Sequence, residues 1–132
     1  MNVPPPSTRA FLSDLPSAPV DSKVRFLGCV RTYNINTGHL ILEHNYPRRR
    51  PPQPVPSVSV DIDAVLETVT SDELRVGAWV NVVGYMRRST EQQGSIYVEA
   101  VMLFPAGPIV LGEYERILHD SLEVERWVQR PT

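Results

Sequence analysis

The stretch KVRFLGCVRTY, Lys23–Tyr33, decides the reading of the chain. Val24, Phe26, Gly28 and Val30 share one parity and Arg25 and Arg31 the other, while Leu27 and Cys29 add apolar side chains to that second face. A period of two over such a run predicts a long strand packed on both sides. Gly28 removes a side chain at mid-strand, where a barrel strand bends or another backbone comes close. Working outward, Asn34-Ile35-Asn36-Thr37-Gly38 holds residues that tolerate a tight turn, and His39–Tyr46 follows as a second strand. Val58, Val60 and Ile62 alternate with Ser59 and Asp61 as a third, short strand, and Asp63–Val69 suits one or two helical turns. In LRVGAWVNVVGYMRR, Gly77 makes a turn and Ala78–Met86 a fourth strand containing Gly84; after the polar loop Arg87–Gly94, Ser95–Phe104 is the fifth. This order predicts an all-β fold, a five-stranded OB-fold barrel with a short helix between strands 3 and 4 and a C-terminal α-helix. An SH3-like barrel, the runner-up, does not usually place a helix there.

The 132 residues suit one domain with one modest core. A formal net charge of −2 gives no global positive field to draw the protein onto nucleic acid, so any such contact is local or shared with a partner. One cysteine, Cys29, leaves no internal disulfide and fits a small buried residue in a reducing compartment. The thirteen prolines fall mainly in two clusters. We expect residues 1–19 to be a proline-rich flexible arm and residues 20–132 the OB-fold domain, with an extended, mobile proline/arginine loop over 47–57. The first residues lack the apolar core of a signal peptide and no run is long enough for a membrane span; we expect a soluble intracellular protein with no membrane contact.

From Val110 to Val128 (the helix spanning about 109–128) the period becomes helical. Val110, Leu111, Tyr114, Ile117, Leu118, Leu122, Val124 and Val128 cover an arc of roughly 160°, wider than one helix on one small barrel requires. One edge is expected to cover the barrel. The other, toward Tyr114, Leu118 and Leu122, is expected to meet a second protein, with Trp127 adding an interface-type aromatic.

Catalytic constellations are absent from the sequence. Asp61 and Asp63 are better read as helix-capping residues than as a cation site. His39 and His44 lack ligand partners at zinc spacing, and His119 sits among charged residues. No nucleophile elbow, phosphate loop or paired-cysteine motif occurs. We therefore expect no enzyme, no cofactor and no metal. For single-stranded nucleic acid the candidates are Arg31 and Tyr33, with His39 beside them at the first loop, and Tyr85, Arg87 and Arg88 at the last, because aromatic faces stack bases and guanidinium groups hold phosphates. The run Arg48-Arg49-Arg50 lies at the edge of that region. Arg48, Pro51 and Pro54 also match the spacing of a polyproline ligand, which would make the chain an interaction adaptor.

Three stretches, VRFLGCVRTYNI, LRVGAWVNVVGYM and VEAVMLFPAGPIVLGEYERIL, resemble the smallest (Ten) subunit family of the CST telomere-capping complex, with the likeness running from about Leu15 to Val128. The proline/arginine loop and the N-terminal arm depart from the short form of that family. The resemblance implies a heterodimer with the Stn subunit, itself an OB protein, joined through C-terminal helices as in the smaller subunits of replication protein A. It also implies a larger telomeric subunit, single-stranded telomeric DNA bound weakly or through the complex, and a nuclear role at telomeres in end protection and replication. The positions it assigns to the partner interface are Tyr114, Leu118, Leu122 and Glu125 on the helix, with Arg25 and Pro108 as neighbours. A small subunit of a replication-protein-A-like complex is the alternative.

Overall fold

The computed structural model describes residues 6–90 and 94–128. Strand β1 (Thr8–Arg9) runs parallel to β2 (Lys23–Asn34), with Thr8 opposite Val24. β2 forms a hairpin with β3 (His39–Glu43), and the register slips between Val30 and Thr32, leaving Arg31 on a bulge. Asn34 closes that hairpin, its Oδ1 accepting the amides of Asn36 at 2.9 Å and Thr37 at 3.3 Å. β4 (Ser57–Asp61) continues antiparallel beside β3. β5 (Trp79–Arg88) and β6 (Ile96–Pro105) form the second hairpin. Pairings run full circle, because β5 also pairs with β2 and β6 pairs in parallel with β4. The join between β4 and β6 is narrow, with only Val60 opposite Val98 and Asp61 opposite Glu99.

Inward positions of β2, β3, β4, β5 and β6 fill the barrel, among them Phe26, Leu42, Val60, Val82 and Val98. Two glycines let the walls approach: a Cβ on Gly28 would stand 2.8 Å from Leu42 Cβ, and one on Gly84 would collide with the Glu99 carbonyl oxygen. Between β4 and β5 the expected helical turns reduce to a 3-10 turn over Asp63–Val65, with the Asp63 amide donating to Asp61 Oδ1 at 3.0 Å. The five expected strands and the helix, α1 (Leu111–Val128), are all present.

Two expectations are corrected. Residues 6–19 do not form an arm apart from the domain: they supply β1 and a 3-10 turn over Leu12–Ser17, and Leu12 (1% exposed) and Leu15 (0%) belong to the barrel core. Burial of two leucines outweighs the prolines on either side of them, each leucine contributing about 1.5–3 kcal/mol. Residues 1–5 of the expected arm lie outside the described residues. The second correction concerns the loop after β3, which ends at Glu43 and not at Tyr46. The loop folds back on itself: Asn45 Oδ1 accepts the Arg49 amide at 2.9 Å, Asn45 Nδ2 donates to the Arg49 carbonyl at 3.2 Å, and the Gln53 amide donates to the Arg50 carbonyl at 3.0 Å.

Candidate partner and nucleic-acid interfaces

Helix α1 is fastened by a polar contact that its apolar periodicity does not reveal. His44, 2% exposed at the end of β3, lies 2.7 Å through Nε2 from Glu115 Oε2, 71 residues further along the chain. Aromatic rings surround His44: Phe11, Tyr46, Tyr114 and, edge-on at 5.4 Å, Trp79. In this setting burial pushes the Tyr114 phenol above its ordinary value, with Arg9 and Arg25 pulling it partly back. The Arg25 guanidinium lies 5.8 Å from the centre of the Phe104 ring.

That anchorage fixes the rotation of the helix. Leu118 is buried (1% exposed), whereas Ile117 is 54% and Val124 61% exposed. At 100° per residue, Ile117, Val124 and Val128 fall within about 40° of one another, some 100° around from Leu118, and Val110 immediately precedes the helix. All four are exposed. Of the edge expected to meet a second protein, Leu118 is already covered by the chain's own fold. Tyr114 and Leu122 are half-buried beside it, and Glu125 and Pro108 are exposed. Outward-facing Leu27 and Val83 are buried as well, outside the core cluster. The apolar stripe of α1 was legible as periodicity, but which part of it stays open was not.

A concavity of about 850 Å³ lies between the β2–β3 turn and the β5–β6 loop, the face on which OB folds take oligonucleotides. Of the five expected residues only Tyr33 lines it. His39 and Tyr97 do so too, their rings 5.6 Å apart, with His39 Nδ1 held 2.7 Å from Ser59 Oγ. Tyr97 was missed because only the pairing of β4 with β6 brings the start of β6 within ring contact of His39, across the intervening β4. The cations are placed differently. Arg31 pairs with Glu43 at 3.5 Å, and Arg88 donates to the Gly94 carbonyl at 3.2 Å. Arg87, opposite Tyr97 across the β5–β6 register, is bound by Asp21 at 2.6 Å and Glu99 at 3.4 Å and lies over the Tyr85 ring. Asp21 above all holds the Arg87 guanidinium further toward its charged form.

The turn closed by Gln53 and Arg50 keeps Arg48, Pro51 and Pro54 from lying along one extended polyproline strand. Among the described residues, no group of His, Cys, Asp and Glu side chains is arranged to hold a metal ion.

The chain is similar to two solved structures from S. pombe, a Stn1–Ten1 complex and the telomere capping protein Ten1. Against the S. pombe Stn1–Ten1 complex the identity is 25% and the TM-score 0.71, covering 92% of this chain and 96% of that one. Against S. pombe Ten1 by itself the figures are 25% and 0.69, covering 89% and 99%. The E. coli hypothetical protein ygiW, 13% identical with a TM-score of 0.54 over 77% of this chain and 94% of that one, shares the fold alone. No curated protein matches the sequence. The profile of the family described as "Ten1: Telomere capping, CST complex subunit" matches residues 1–119, and the chain belongs to that family.

Proposed function

We propose that the chain is the small, non-catalytic subunit of a CST complex, acting in the nucleus at telomeres to protect chromosome ends and regulate their replication. It pairs with a Stn subunit, and the pair supports a larger subunit on single-stranded DNA. The observation that carries this reading is the exposed stripe of Ile117, Val124 and Val128, led by Val110 just before the helix, on a helix already anchored by its other side. A row of apolar side chains left open beside a seated helix face is the material of a protein–protein contact. The S. pombe relative is solved in complex with Stn1. Tyr114, Leu122, Glu125, Arg25 and Pro108 flank the contact, while Leu118 supports it from beneath.

Single strands lie across the concavity, with bases on Tyr33, His39 and Tyr97. Arg31, Tyr85, Arg87 and Arg88 stand at its margins. With acidic partners already on Arg31 and Arg87, few phosphates are neutralised and the subunit alone binds weakly and with strong salt dependence. Co-expression with the Stn subunit of the same source and size-exclusion chromatography tests the assembly. A 1:1 complex is expected, and two separate monomers would refute it.

A further inference from the structure

A second cleft, about 510 Å³, opens between the proline/arginine loop and the first turns of α1. Trp79, Val55 and Leu111 supply its apolar lining, Arg48 and Arg49 its cations, and His44 and Glu115 part of its wall. We propose that this cleft binds an acidic peptide segment carrying an apolar or aromatic anchor, supplied by the protein that α1 engages.

Charge is the first argument. Arg48, Arg49 and Arg50 are exposed, and their guanidinium groups have no acidic partner among the described residues. The two acids in the wall are already engaged, Glu115 by His44 at 2.7 Å and Glu43 by Arg31 at 3.5 Å, so the cations remain available to a ligand. Pre-organisation is the second. Both hydrogen bonds between Asn45 and the Arg49 backbone hold the loop against the cleft, which lowers the ordering cost of binding. Continuity is the third: Leu111 and Glu115 belong to α1, and Val110 of the open stripe adjoins Leu111 in sequence.

A peptide fits better than a nucleic acid. A phosphodiester chain carries a charge at every nucleotide and would set some against Glu43 and Glu115. A peptide instead places carboxylates on Arg48 and Arg49 and an apolar side chain on Trp79. The identity of the supplier rests on the heterodimer reading above; the chemistry of the cleft does not.

The test uses the full chain in a Trp127→Phe background, so that Trp79 is the one remaining tryptophan. A fluorescein-labelled peptide Asp-Glu-Phe-Asp-Glu, its counterpart with every acid replaced by Ala, and a dT12 oligonucleotide are titrated by anisotropy while Trp79 emission is followed. The acidic peptide should bind saturably below ~1 mM and shift Trp79 emission. R48E/R49E should melt as the parent does and weaken that binding at least about tenfold. I117E/V124E should leave it unchanged, which separates failure of this site from failure of the helix interface. Equal binding of the all-Ala peptide, equal binding to R48E/R49E, no saturation below ~1 mM, or a Trp79 response to dT12 alone would overturn the proposal.

Discussion

Ile117 and Leu118 are adjacent in sequence and should fail in opposite ways. Leu118 is 1% exposed, so Leu118→Ala leaves a cavity under the helix and costs about 2–5 kcal/mol of stability. For a domain of this size that lowers the melting temperature by roughly 8–20 °C. Ile117 and Val124 are 54% and 61% exposed, so about half of each side chain remains for a partner to bury. Full burial of such a side chain is worth about 1.5–3 kcal/mol, which leaves roughly 1–1.5 kcal/mol for each exposed portion. The double variant I117A/V124A should therefore weaken association with the Stn subunit by about 2–3 kcal/mol, or about 30- to 150-fold, with little change in the melt of the free chain. Calorimetric titration beside a thermal melt measures both quantities. The reasoning fails if L118A melts normally but loses the partner, or if I117A/V124A binds as the parent does.

Three further outcomes are expected. Leu15→Ala should cost about 2–5 kcal/mol in urea unfolding, and a chain shortened to residues 20–132 should melt below the full one; an unchanged melt would return the segment to the status of an arm. H39A/Y97A should weaken single-stranded DNA binding by the heterodimer by about 1–3 kcal/mol for each base that stacks there, read by anisotropy at fixed salt, and no change would move the site off this concavity. Burial, reinforced by the Glu43 charge, holds the Cys29 thiol above its ordinary range, and burial raises the Tyr114 phenol above its own. The folded chain then binds these protons more tightly than the unfolded one, so the contribution is complete below about pH 9 and is lost as pH rises. C29S/Y114F should flatten the alkaline fall in stability that sets in as pH rises past the ordinary thiol and phenol ranges, and an identical fall would exclude these groups as its source.

The strands were readable because alternation is local: each residue of β2, β3 and β4 declares its own face. The N-terminal segment was misread because prolines dominate its composition. Its signal was Leu12 and Leu15, three apart and flanked by a turn, a spacing too short to outweigh the prolines by pattern alone. Helix α1 was legible as an arc, but its rotation depends on His44 meeting Glu115, a contact between distant parts of the chain that no periodicity encodes. The concavity was half legible. Tyr33 and His39 flank a recognisable turn, while Tyr97 becomes their neighbour only through the parallel pairing of β4 with β6. The partners of the basic residues were not legible, because a sequence does not show that Glu43 meets Arg31 or that Asp21 and Glu99 meet Arg87.

The two-pair join between β4 and β6 has a consequence for how the barrel breathes. Opening begins where pairing is sparsest, so amide hydrogens near Val60, Asp61, Val98 and Glu99 should exchange before those of the long β5–β6 hairpin. Ser59 on β4 and Ile96 and Tyr97 on β6 line the concavity from opposite sides of that seam. A strand of nucleic acid lying over Ser59 and Tyr97 would act as a suture across it, slowing exchange at the seam, so that occupancy of the concavity is recorded in the rigidity of the barrel wall.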